Sequence, residues 1–204
     1  MKTRFLTTVC ALLTLAVLLG GCSAGAEKAP KKEVGIQLYS VRSLIGAFGN
    51  NQEDYKPVLK QLADMGYTSV EAASYKEGKI YGQTPEQFRK DVEEAGMKVL
   101  STHCTINLSD EELAAGDFSK ALAWWDECIA AHKAAGAEYI VVPSMRKIST
   151  LEELATYCRY FNEVGARCKA AGMKFGYHNH SREFEKIEDK VMLDYMLENT
   201  DPEK

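Results

Sequence analysis

The sequence predicts an α/β chain holding the first five βα units of an incomplete (β/α)8 barrel behind an N-terminal export signal. Three observations carry this prediction. Stretches with apolar residues three and four apart alternate with short apolar runs, at spacings of 30 to 40 residues. Four of those runs follow a glycine that closes the preceding helical stretch. Polar or reactive side chains then stand at the C-terminal end of nearly every run, where a barrel gathers its strand ends into one mouth.

Taken in order, "MKTRFLTTVCALLTLAVLLGGCSAG" begins with Lys2 and Arg4, continues through the apolar Phe5–Leu19, and reaches a cysteine through small residues. The apolar stretch is short for a bilayer span and has the layout of a secretory signal. "LGGC" resembles the bacterial lipobox, so residues 1–21 read as a lipoprotein signal peptide and Cys22 as the lipidated first residue of the exported protein. Residues 22–33 are small, polar and charged, as a flexible tether requires. The expected location is outside the cytoplasm, periplasmic or cell-surface, with the lipid as the membrane contact. Residues 34–204 form the barrel domain.

"VGIQLYSV" (34–41) is the first expected strand. The next four follow Gly66, Gly96, Gly136 and Gly172 in "ADMGYTSVEAAS", "EEAGMKVLSTHC", "KAAGAEYIVVPS" and "KAAGMKFGYHNH". Glycine after a helix supplies the left-handed conformation of a C-terminal cap. The intervening helices are "EDYKPVLKQLADM", "TPEQFRKDVEEA", "FSKALAWWDECIAAHKAA" and "LEELATYCRYFNEVGARCKAA", and "EDKVMLDYMLENT" follows the last strand. "TPEQ" offers a Thr cap, Pro at the first helical position and Gln to close a capping box. Strands alternating with helices imply a parallel sheet. "QLYSVRS" has no glycine-rich phosphate turn, which removes the signature of a dinucleotide fold. Five units are short of the eight that close a barrel, and an unclosed sheet leaves two edges open to association, including with another copy of the chain.

Composition narrows the partners. Taking Lys2 and Arg4 from the 25 basic residues leaves 23 against 29 acidic ones, a net charge of −6. An acidic chain without a basic stripe argues against nucleic acid. Beyond Cys10 and Cys22, the cysteines Cys104, Cys128, Cys158 and Cys168 form no CxxC pair, so a zinc knuckle is not indicated and buried free thiols are expected.

The chemistry concentrates at strand ends. His178 and His180, two of the four histidines, share a face if the backbone stays extended, with Asn179 on the other. Glu183 reads either as a second carboxylate or as part of a solvated loop. His103 shares a face with Ser101. Glu71 follows the apolar "TSV", where an unpaired carboxylate is costly to bury, so a substrate contact or proton-transfer role is expected. Gln37, Tyr39 and Arg42 end the first strand as substrate contacts, with a loop salt bridge the alternative for Arg42. His132, near a helix C-terminus, reads as a structural cation favoured by the dipole. Of the adjacent Trp124 and Trp125 at least one packs on the sheet, and neither reads as a sugar platform.

"GIQLYSVR", "GYTSVE", the third-strand histidine and "GYHNHSREFE" together resemble the xylose isomerase-like TIM-barrel superfamily, in its sugar phosphate isomerase/epimerase branch of exported, Bacteroidota-type lipoproteins. The resemblance runs from about Val34 to the end. It implies a divalent metal (Mn, Mg, Zn or Co) at the mouth and chemistry beside the carbonyl of a small sugar or keto-glycoside. That chemistry is isomerisation, epimerisation, dehydration or elimination, with Glu71, His103 and Glu183 as proton-transfer candidates and Asn179 and His180 as sugar contacts. His178 falls where the ketose 3-epimerases carry a glutamate ligand, so it is either a replacement metal ligand or an acid/base group. The alternative is a carbohydrate-binding lipoprotein that keeps the barrel without catalysis.

Overall fold

The computed structural model describes residues 32–52 and 54–204; the expected signal peptide, Cys22 and most of the tether lie outside them. The strands are β1 (Gly35–Gln37), β2 (Ser69–Ala72), β3 (Lys98–His103), β4 (Tyr139–Val142) and β5 (Lys174–Tyr177). They pair in sequence order, every pair parallel, as one five-stranded sheet. The helices are α1 (Lys56–Asp64), α2 (Pro85–Glu94), α3 (Asp110–Ala115), α4 (Ser119–Ala134), α5 (Leu151–Ala170) and α6 (Met192–Asn199). Strand, helix and neighbouring parallel strand alternate, which is the first part of a (β/α)8 barrel.

Helices α1, α2, α4 and α5 end alike. The amides of Tyr67, Met97, Ala137 and Met173 donate to the carbonyls of Leu62, Val92, His132 and Cys168, five residues back, at 2.8 to 3.2 Å. That bond requires positive φ at the residue between, and Gly66, Gly96, Gly136 and Gly172 have φ of 77 to 100°. The repeated glycine therefore turns each helix into the next strand.

The core lies between sheet and helices. Val70, Ile140 and Phe175 meet it from the strands, and Leu154, Tyr157, Phe161, Val164 and Cys168 from α5. Trp125 is fully buried, edge-on to Phe175 at 5.9 Å, and its Nε1 donates to Tyr160 Oη (2.6 Å). Buried Asp91 joins α1 to α2 by accepting from Tyr55 Oη (2.7 Å) and Gln87 Nε2 (2.8 Å) and pairing with Lys56 (2.8 Å).

The strand periodicity misses one feature that shapes the site. Val70 pairs with Val99, but Glu71 pairs with Ser101, so the register shifts by one residue and Leu100 is the extra residue of a bulge on β3. Bulges re-aim side chains, and this one brings Ser101 and then His103 to the side of Glu71.

Several local expectations are corrected. The first strand ends at Gln37, and Leu38–Val41 and Arg42–Ile45 are short helical turns, because Gln37 Oε1 accepts the Tyr39 amide (2.8 Å) and caps them. Thr84 caps α2, yet the Gln87 side chain turns to Asp91 and closes no capping box. A capping box does start α3, between Ser109 and Glu112. The stretch before α6 begins as a two-residue antiparallel ladder, Lys186–Ile187 against Lys190–Val191. His132 is fully buried; desolvation lowers its pKa to about 4, so it is a neutral core group and not a helix-end cation.

Candidate functional site

Glu71, at the end of β2, is the centre of a polar cluster. Its Oε1 accepts from Gln37 Nε2 on β1 (2.6 Å), its Oε2 from Ser101 Oγ on β3 (2.6 Å), and His103 Nε2 lies 3.1 Å from Oε1. Strand registers put Gln37 and Ser101 directly beside Glu71. Desolvation acts to raise the Glu71 pKa, but the hydrogen bonds from His103, Ser101 and Gln37 outweigh it and leave the pKa below its ordinary value. Glu71 is therefore a stable carboxylate at neutral pH.

His103 is buried, and its ring centroid lies 5.1 Å from that of His178, beyond the end of β5. The His178 amide donates to the Val142 carbonyl (2.9 Å), which extends the β4–β5 ladder one step past the strand and fixes where the imidazole leaves the sheet. His180 follows, with its ring 4.7 Å from that of His178, although the backbone is no longer a strand. Desolvation, then the neighbouring His103 and His180, lower the His178 pKa, and Glu71 and Glu183 act the other way. His178 is thus neutral at pH 7. Strand ends β1, β2, β3 and β5 accordingly bring Gln37, Glu71, Ser101, His103, His178 and His180 into one mouth.

The remaining sequence candidates stand around this cluster or away from it. Tyr39 and Arg42 sit on the helical turn after β1, with the guanidinium 4.3 Å above the Tyr39 ring and donating to the Tyr39 carbonyl (3.0 Å). Asn179 is exposed. Glu183 is fully buried and spends both oxygens internally. Oε1 accepts from Tyr177 Oη (2.8 Å) and Arg182 (3.2 Å), and Oε2 from the His180 amide (2.6 Å). Desolvation raises its pKa, but those bonds to the His180 amide, Tyr177 and Arg182 more than offset it and lower it overall. This geometry makes Glu183 the brace of the loop that carries His180.

Sequence reasoning passes over one wall of the site. A cavity of about 210 Å³ is lined by His103, Cys104, Thr105 and Pro143 together with the rings of Phe48, Tyr75 and Trp124. Trp124 stands edge-on to Tyr75 (5.6 Å), while its neighbour Trp125 is the residue that packs on the sheet. Trp124 continues the apolar face of α4, so no sequence signal separates it from a core residue. A depression of about 260 Å³ between β5 and α6 holds none of the strand-end cluster.

The described mouth residues do not fit a metal by themselves. Among the described residues the ligand atoms of three such groups converge only at Cys104, Cys128 and His132, behind the mouth. Glu71 is already engaged by Gln37, Ser101 and His103.

A family model described as "Xylose isomerase-like TIM barrel" matches residues 59–201. The chain belongs to this family. The family's five-strand portion is what the sheet shows, and a solved sugar phosphate isomerase/epimerase from Parabacteroides distasonis superposes with a TM-score of 0.72 at 31% identity, over 85% of this chain and 67% of that one. A second solved sugar phosphate isomerase/epimerase from the same organism gives 0.69 at 29% identity, over 90% and 66%. The chain thus spans about two thirds of the length of these relatives. A solved L-ribulose 3-epimerase shares the fold at 15% identity and a TM-score of 0.51, over 70% of this chain and 48% of that one. A search of curated proteins finds no match.

Proposed function

We propose that the mouth transfers a proton at the carbon beside the carbonyl of a small sugar or keto-glycoside, as an isomerase or epimerase. The observation that carries this reading is the pair His103 and His178, rooted in different strands and 5.1 Å apart, with Glu71 hydrogen-bonded behind one of them. His178, neutral at pH 7, takes the proton from carbon. His103, whose Nε2 faces Glu71, offers its other nitrogen to the substrate and carries the second proton. Glu71 remains charged and orients His103, which makes it a positioning carboxylate and not the base. Family membership and the isomerase/epimerase relatives support the same class.

The cavity of about 210 Å³ beside His103 is the space this proposal assigns to part of a small sugar. The rings of Trp124, Tyr75 and Phe48 give the sugar an apolar wall, with Gln37, Tyr39, Arg42, Asn179 and His180 as polar contacts nearby. A divalent metal held by His178 is the alternative to this role, since a metal-bound imidazole has no free lone pair with which to take the proton. Export and lipidation at Cys22 remain part of this proposal and favour an unphosphorylated sugar.

The test incubates the full chain in D2O with a panel of ketoses and 3-keto-glycosides and follows loss of the proton beside the carbonyl by NMR. Exchange should occur with at least one sugar and fall roughly 100-fold or more in His178→Ala and in His103→Ala. Exchange insensitive to both substitutions overturns the assignment. Binding without exchange, read by calorimetry, replaces it with the carbohydrate-binding alternative.

A further inference from the structure

Directly behind His103, the chain places two thiols against each other. Cys104 follows the last residue of β3, and its amide donates to the Val141 carbonyl (3.0 Å), so it is held in the sheet. Cys128 projects from the middle of α4. Their sulfurs are in contact at 2.7 Å, both residues are buried, and the third group of the cluster is His132, one turn along α4. His132 Nδ1 donates to the Cys128 carbonyl (2.7 Å), which leaves its buried Nε2 without a partner.

We infer that Cys104 and Cys128 are a disulfide-forming pair that ties the end of β3 to α4 and thereby fixes the position of His103. Two thiols have no hydrogen-bonded arrangement that holds their sulfurs so close. Thiolates sharing a metal stand further apart still, each about 2.3 Å from an ion at a tetrahedral angle. The His132 nitrogen next to Cys128 is also spent on a backbone carbonyl. A covalent bond between the two sulfurs suits this dry, apolar setting.

Cys104 lines the cavity beside His103, so it is the sulfur an oxidant reaches. The oxidant is a small-molecule disulfide, and its presence rests on the proposed export. Cys104 attacks one of its sulfurs and forms a mixed disulfide as the first thiol leaves. Cys128 then displaces the second. Two thiols of the chain become one disulfide, and both protons end on the two thiols released from the oxidant. Cys158 and Cys168 take no part.

The linkage itself is tested without any activity measurement. The full chain, isolated in air, is denatured with an alkylating agent and without reductant, then digested and mapped by mass spectrometry. One linked pair of peptides carrying Cys104 and Cys128 is expected, with Cys158 and Cys168 alkylated. Reduction should alkylate all four and lower the melting temperature by roughly 6–12 °C, a shift absent in Cys104→Ser. The positioning role predicts that reduction displaces the His103 imidazole resonances. It also predicts a fall in kcat for proton exchange with KM little changed, and this last readout rests on the proposed function. Alkylation of both Cys104 and Cys128 in the aerobic protein, linkage of either to Cys168, or a stoichiometric metal ion on the reduced pair would overturn the inference. A linked pair in a protein that exchanges no sugar proton would leave the disulfide standing and remove only the proposed chemistry.

Discussion

Replacing Glu71 by Gln tests the electrostatic core of the site without needing its substrate. The carboxylate receives short bonds from Gln37 and Ser101 and the contact from His103. Hydrogen bonds to a charged group contribute about 1.5–3 kcal/mol each, against about 0.5–1.5 kcal/mol between neutral groups. Three such exchanges lose about 3 kcal/mol. The new amide nitrogen also faces at least one donor. Only 26% of the Glu71 side chain is exposed, so solvent repairs little of this. Urea unfolding at pH 7 should show a midpoint lower by roughly 1–2 M for an m value near 2 kcal/mol/M. The pH dependence adds a sign. The folded pKa of Glu71 is lowered, so its contribution is complete above the unfolded value near about 4.3 and is lost as pH falls through the folded value. The gap between the two proteins should therefore be constant from pH 7 to about 5 and close in stronger acid. A midpoint change below about 0.3 M, or a gap that persists undiminished in strong acid, would refute the reasoning.

Glu183→Ala should act on stability more than on chemistry. It strips partners from the Tyr177 hydroxyl, the His180 amide and Arg182, at a cost of about 3 kcal/mol by thermal or urea unfolding. The remaining folded protein should keep kcat for proton exchange within roughly tenfold, since loop bracing is less than the loss of an acid or base. Trp124→Ala removes one ring of the cavity wall. It should raise KM by roughly 5- to 30-fold, about 1–2 kcal/mol, with kcat little changed in steady-state kinetics.

The convergence of His103 and His178 was legible in sequence because it needs only two things, strands in order and reactive residues at their ends. Both follow from glycine-closed helices and apolar runs. The contact between Ser101 and Glu71 was not legible, because Leu100 fits an alternating strand and nothing in "KVLSTH" marks the bulge. The first strand was read too long for a related reason. "LYSV" has strand-like composition, and only a bond from a side chain to the backbone, Gln37 to the Tyr39 amide, turns it helical. Glu183 sits among Arg182, Glu185 and Lys186, a pattern that resembles solvated loop, and its burial depends on Tyr177 reaching it from the strand. The two thiols lie 24 residues apart, one just past the end of a strand and one on a helix, a separation that corresponds to no local motif.

The Gln37 side chain faces two ways at once: its oxygen holds the turn carrying Tyr39 and Arg42, and its nitrogen holds Glu71. One flat amide is therefore a lever between the rim of the site and its charge. The orientation of Glu71 and the turn that carries Tyr39 and Arg42 are set together by a single side chain, and Gln37→Leu would release both at once.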